Sequence, residues 1–303
     1  MISLYLSSVA QSGRPKQYKL FEYRSFALSV GPRTMPLSFS FGTFIGGVVC
    51  ALLLGAPSPH SSAFTAFKWV TTLDEEPAAD PVLHYFDVRG RAEAIRLTFA
   101  EKEVSYEEKN FTGEAWGKTS STGLKANFTA AGQLAFGQVP MLEVDGLHVV
   151  QSHSILRFAA RKYKWYEAYT AEELMRIDVA ADGTEDVRKQ IMGIKYDDAS
   201  YPTTADKKAA WAAWFAADDK GVLWYGHFEA LLSKPWQPKR WLASTEAPSH
   251  ADFLLFDLLD TAAALEPSSA TSLLAKFPTL TKWKAALAAR PNVAAYLASR
   301  KPV

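Results

Sequence analysis

Residues 139–152, VPMLEVDGLHVVQS, decide the fold. Val139 to Asp145 reads as a strand, and Asp145-Gly146 is a strong tight-turn signal, because two-residue hairpin loops need positive φ at both positions. The turn leads into a second strand, Leu147 to Gln151. Ser152 then stands where a helix can be capped, with Ile155, Phe158, Ala159 and Tyr163 spaced along one helical face. The unit is strand, strand, helix.

Upstream, Val82 to Phe86 (VLHYF) alternates as a short strand, and Gly90 breaks it. Ala92, Ile95 and Phe99 recur at helical spacing, and Val104, Tyr106 and Glu108 suggest another strand. A βαβ half followed by a ββα half fits a thioredoxin-like α/β domain. Downstream of about residue 170 the pattern is helical, over 171–193, 205–233, 250–265 and 279–299. Ser249 followed by Asp252, ahead of FLLFDLL, has the form of a capping box. The predicted organisation is an extension over 1–80, an α/β domain over 81–166 and an all-α domain over 167–303.

Composition limits the function. The 303-residue chain has 33 Lys and Arg against 32 Asp and Glu, a net charge of +1. Phosphate-backbone binding relies on a concentrated basic surface, and a near-zero net charge gives no reason to expect a nucleic acid partner. Cys50 is the one cysteine, which rules out an intramolecular disulfide, a Cys-x-x-Cys redox site and a thiolate zinc site. Any thiol chemistry must use a thiol brought by the substrate. None of His60, His84, His148, His153, His227 and His250 has paired metal-ligand spacing, and no metal site is expected.

The extension has its own signature. Phe39 to Ala56 (FSFGTFIGGVVCALLLGA) carries no charge and follows Arg14, Lys16, Lys19, Arg24 and Arg33. Its length is at the lower limit for a transmembrane helix, and Phe44 to Ala56 has the length of a signal-peptide core. Ser61 and Ala63 give a small-x-small cleavage pattern, Met35 is an alternative start, and Ser62-Ala63-Phe64 resembles the cleavage region of bipartite plastid signals in algae with secondary plastids. The expectation is a cleaved or uncleaved targeting signal, or membrane anchoring through 39–56. It points to the secretory pathway, a membrane or a secondary plastid, and to the cytoplasm if the extension is a gene-model artefact. Residues 71–81 read as the linker.

From residue 82 onward the chain resembles the cytosolic-type glutathione transferases, nearest to the sigma class. The resemblance is carried by Tyr85-Phe86-Asp87-Val88-Arg89-Gly90-Arg91-Ala92-Glu93, by Phe136-Gly137-Gln138-Val139-Pro140 with LEVDG and Gln151-Ser152, and by Lys276-Phe277-Pro278 with ARPNVAAYL. It implies the glutathione transferase fold, no permanently bound cofactor, and glutathione as co-substrate for attack on electrophilic or hydrophobic small molecules by a homodimer. It assigns Tyr85 as the donor to the glutathione sulfur and Arg91 as its electrostatic support. Gln151 and Ser152 receive the γ-glutamyl carboxylate, and Val139, before a cis Pro140, pairs with the tripeptide backbone. Trp116 lies near the glycine end with Lys125 or Lys118, and Asp182 reaches the glutathione amine of the neighbouring subunit. A glutathione-dependent isomerase or peroxidase of the prostaglandin D synthase type, and a non-enzymatic crystallin-like protein, are the alternatives.

The chemistry suits these residue types. A free thiol with a pKa near about 8.5 is only a few per cent thiolate at neutral pH, and the thiolate is the nucleophile. Lowering that pKa by ~2 units takes about 2.7 kcal/mol, within reach of one charge-assisted hydrogen bond and a nearby cation.

Overall fold

The computed structural model describes residues 38–43, 49–54, 79–117, 123–216, 220–234 and 240–301. The chain divides into two units, Met1–Glu76 and Pro77–Val303. In the first, β1 (Ser38–Thr43) and β2 (Val49–Leu54) pair antiparallel, with Ser38 opposite Leu54 and Thr43 opposite Val49. The apolar run expected to form a signal or membrane helix is therefore strand wherever it is described. The period-2 alternation of SFSF and the strand-forming Phe and Thr account for β1, Gly42, Gly46 and Gly47 weaken any helix, and β2, VCALLL, takes its strand form as the partner of β1. Among the described residues no helix is long and apolar enough to cross a membrane. The basic flank, the small-x-small pattern and most of the linker lie outside the described residues.

The second unit opens with β3 (Val82–Phe86), a short 3-10 turn at Gly90–Ala92, α1 (Glu93–Glu101) and β4 (Glu107–Phe111). Next come α2 (Gly113–Trp116) and α3 (Gly123–Ala130), in a stretch where the sequence signalled no regular structure. The Thr112 hydroxyl caps α2 by accepting from the Ala115 N–H at 3.1 Å. β5 (Met141–Val144), β6 (Leu147–Val150) and α4 (Ser152–Lys162) complete the α/β half. The sheet order is β4-β3-β5-β6, with β3 parallel to β4 and antiparallel to β5. Asp145 and Gly146 have φ of 51° and 74°, as the hairpin signal requires.

The helical half comprises α5 (Ala171–Tyr196), α6 (Thr204–Trp214), α7 (Lys220–Ser233), α8 (His250–Leu265), α9 (Pro267–Leu274), α10 (Pro278–Ala288) and α11 (Pro291–Ser299). Pro291 splits the continuous helix expected over 279–299, because it cannot donate a backbone bond and sets φ for a new first turn. α1 and α8 pack against each other and are buried nearly all round, Ala94 to Phe99 on one and Ala251 to Leu259 on the other. Such helices lie in a core shared by the two halves.

Two buried polar assemblies set this core. Arg96, on α1, binds Glu108 and Glu93 and donates to the carbonyls of Val88 and Arg89 at 2.9 and 3.0 Å, fixing the 87–91 loop from beneath. Asp252 closes the expected capping box by accepting from the Ser249 N–H at 2.8 Å and the Ser249 hydroxyl at 3.0 Å. Its other oxygen accepts from the Leu242 N–H and the Trp283 indole, each at 2.9 Å.

Candidate active site

The C-terminal end of β3 brings Tyr85 to the edge of the core, where it is 7% exposed. Its hydroxyl accepts the Arg91 backbone N–H at 2.9 Å, leaving the hydroxyl's own proton to be donated elsewhere. Burial raises the Tyr85 pKa above the ordinary tyrosine range; the Arg91 N–H and the Arg91 and Arg96 charges pull against that shift without reversing it. Arg96 stands 5.8 Å from the Tyr85 ring centroid. The group is a protonated hydroxyl at neutral pH, a hydrogen-bond donor in cationic surroundings.

Gly90 makes this arrangement sterically feasible. Its φ is +47°, and a Cβ there would stand 2.5 Å from the Tyr85 hydroxyl. Gly90→Ala is expected to displace the hydroxyl from the Arg91 N–H, costing about 1–3 kcal/mol in a urea melt and cutting turnover about tenfold. Unchanged turnover in this variant would show that the hydroxyl's position is immaterial.

Arg91 turns its guanidinium to Glu185 on α5, with paired contacts of 3.1 and 3.0 Å. Burial of Glu185 works against its ionisation, but the Arg91 bonds and charge outweigh it and hold the carboxyl below the usual glutamate range. Glu185 lies 3.8 Å from His153 Nε2, and Asp182 lies 3.8 Å from His153 Nδ1. Burial lowers the His153 pKa, so the ring is neutral at pH 7. This chain of contacts links Tyr85 and Arg91 to the start of α4.

At that start the capping assignment changes. Gln151, not Ser152, is the N-cap residue, with φ of 71° and no side-chain cap bond; Ser152 is buried as the first helical residue. The hairpin enters the helix through a left-handed residue, which moves the helix boundary by one. The first-turn N–H groups and the helix dipole favour an anion here.

The Val139-Pro140 peptide bond is cis. His84 pairs with Met141, so extending the β3–β5 register by one step sets Pro140 across from Tyr85. Trp116 is buried, stacked on Phe111 with centroids 5.2 Å apart and edge-on to Phe86, Tyr85's neighbour, at 5.7 Å. The Lys125 side chain runs beside Gly137, just before that turn. Lys118 falls outside the described residues. Asp182 is 74% exposed.

Arg96, Glu185 and Tyr196 have no assignment from the sequence, and His153 figures there only as a histidine without metal-ligand spacing. Glu185 sits three residues after Asp182 and shares its helix face, a signal that was available. Tyr196, at the C-terminal end of α5, is near enough to act electrostatically on both Tyr85 and Arg91, yet it is 72% exposed. No sequence signal brings the end of a 26-residue helix to that hydroxyl. No group of three or more His, Cys, Asp or Glu among the described residues could hold a metal ion.

Residues 81–161 match the glutathione S-transferase N-terminal domain model, and residues 185–300 match the C-terminal domain model. A pig protein, glutathione S-transferase alpha M14 of Sus scrofa, is 34% identical over 230 residues, covering 74% of this chain and 92% of its own length. The solved Pi-class glutathione S-transferase of Onchocerca volvulus superposes with a TM-score of 0.57 at 26% identity, over 73% of this chain and 93% of its own. A structure of rat hPGDS complexed with a quinoline has a TM-score of 0.59 at 23% identity, over 74% and 99% respectively.

Proposed function

Because the chain belongs to the glutathione S-transferase family and is a glutathione transferase, we propose that Tyr85 is the residue that activates the glutathione thiol. The observation that carries this is the Arg91 N–H donated to the Tyr85 hydroxyl, which leaves the tyrosine proton free to donate to sulfur. The thiol proton passes to solvent, and the thiolate accepts the Tyr85 bond in the field of Arg91 and Arg96. The sulfur then forms a bond to the electrophilic carbon while the leaving group departs with its bonding electrons. The γ-glutamyl carboxylate is held at Gln151 and Ser152, the peptide backbone at Val139 beside Pro140, and the glycine end by Trp116 and Lys125. Tyr196 forms part of the acceptor wall.

We infer a homodimer, a reading supported by exposed apolar groups. Phe136 is 69% exposed, and Met175 and Val179 are exposed on one face of α5 near Asp182. A second copy covering that face would meet Asp182, which is then placed to reach the partner's glutathione amine. The sigma-class reading rests on the FGQVP and LEVDG segments, whereas the pig relative carries an alpha name. Residues 1–80 are an extension outside the catalytic unit, a targeting signal or linker, followed by the α/β domain to residue 166 and the helical domain to 303.

The test is conjugation of glutathione to a generic aryl halide. Turnover is expected from the full chain and from 78–303. Neither binding nor turnover of glutathione by folded protein would remove the reading.

A further inference from the structure

A cavity of about 380 Å³ opens between α4, the segment leading to α5, α5 itself and the start of α8. Its wall holds Arg157, Arg161, Lys164, Glu167, Asp178 and His250. Arg157 and Arg161 lie five and nine residues beyond Ser152, about 7.5 and 13 Å along α4 at ~1.5 Å per residue, which sets the cavity beyond the helix start proposed above to hold glutathione.

His250 indicates what the cavity can bind. The residue is 2% exposed, and its Nε2 has no hydrogen-bond partner. The other ring nitrogen, Nδ1, is 3.0 Å from the Tyr166 hydroxyl, which itself accepts the His250 backbone N–H at 2.8 Å. With its oxygen engaged as an acceptor, and its pKa raised by burial, Tyr166 donates its proton to Nδ1. The imidazole is therefore the Nε2–H tautomer, neutral because burial lowers its pKa to about 3. Nε2 thus presents a buried donor, which suits an oxyanion and is useless to a metal or an ammonium group.

The cations around it are under-committed. Arg157 and Asp178 are 3.9 Å apart, and Lys164 and Glu167 form an exposed pair at 3.5 Å, contacts of little energetic weight. Arg161 has no carboxylate within 4.0 Å among the described residues. Three cations against two carboxylates leave one net positive charge, and with the N–H they offer more donors than the two oxygens of a carboxylate can use, whereas arginine forks and the added donors suit the oxygens of a phosphate. The volume leaves room beyond a phosphate for an organic body, against Ala160, Ile177 and the Tyr166 ring.

The geometry points to a second ligand site in this cavity, one that takes the phosphate of a small phosphomonoester between Arg161, Arg157, Lys164 and His250 Nε2–H. Calorimetry on the full chain with glycerol 3-phosphate as probe tests it, with inorganic phosphate and acetate as comparison ligands. Glycerol 3-phosphate is expected to bind more tightly than either, with saturating glutathione present. Arg161→Ala, an exposed change that leaves the fold intact, is expected to weaken binding about tenfold, the loss of one charge-assisted bond. His250→Gln, which keeps a side-chain N–H, is expected to retain more affinity than His250→Phe. Acetate binding as tightly as the ester, displacement by glutathione, or an Arg161→Ala affinity equal to the parent's would each overturn the proposal. Equal affinity for inorganic phosphate would overturn the ester assignment.

Discussion

Replacing Tyr85 with phenylalanine is expected to lower glutathione conjugation at pH 6.5 about 30- to 150-fold, with the fold and most glutathione affinity retained. The change removes one donor to a charged sulfur, worth about 2–3 kcal/mol in the transition state. It leaves the ring, buried under Phe86 and beside Arg96, in place. The structural cost is the Arg91 N–H, which loses its acceptor, about 1 kcal/mol. The pH profile gives the sign. The Tyr85 bond stabilises the thiolate, so the parent enzyme holds its rate down to the depressed thiol pKa. The variant gains rate as pH rises toward the unassisted value near about 8.5, and the deficit shrinks there. A variant with the parent's rate across pH 6 to 8 would refute the assigned role. A constant deficit at every pH would assign Tyr85 to positioning and leave thiol ionisation to Arg91.

Asp252→Ala is expected to be the most destabilising single change, about 3–5 kcal/mol, because it strands four donors in the core. The Leu242 and Ser249 N–H groups, the Ser249 hydroxyl and the Trp283 indole all converge on this carboxylate. The residue joins the start of α8 to α10 and to the 240–249 segment, so its loss is felt beyond one cap. A urea titration should show a lower midpoint at unchanged slope, and the melting temperature should fall by about 10 °C. Asp252→Asn, which keeps one acceptor oxygen, should lose less. A loss under about 1 kcal/mol for the alanine variant would mean that water or neighbouring groups satisfy those donors.

Much of this architecture is local in origin. Strand β3, the Asp145-Gly146 hairpin, the span of α8 and its Ser249–Asp252 capping box depend on turn geometry, periodicity and capping, each written within a few residues. Tyr85, Arg91 and the Val139-Pro140 segment are legible for the same reason, since their motifs are contiguous. Where competing local signals coexist, the sequence does not choose between them. Phe39 to Ala56 is uncharged throughout and alternates only around SFSF, and both of its described segments are strand. The Ser152 cap shifted to Gln151 because a left-handed residue at the hairpin exit has no marker unless it is Gly or Asn.

By itself the sequence determined a thioredoxin-like half joined to a helical half, with Tyr85 at the end of a strand, because contiguous residues define strand ends and helix starts. Only the tertiary structure decided what surrounds that tyrosine. Arg91 meets Glu185 across 94 residues and Tyr196 approaches from the far end of α5, while elsewhere in the core Tyr166 meets His250 across 84. Those pairings are set by how α1, α4, α5 and α8 pack, and contacts at such separations leave no periodicity in the chain.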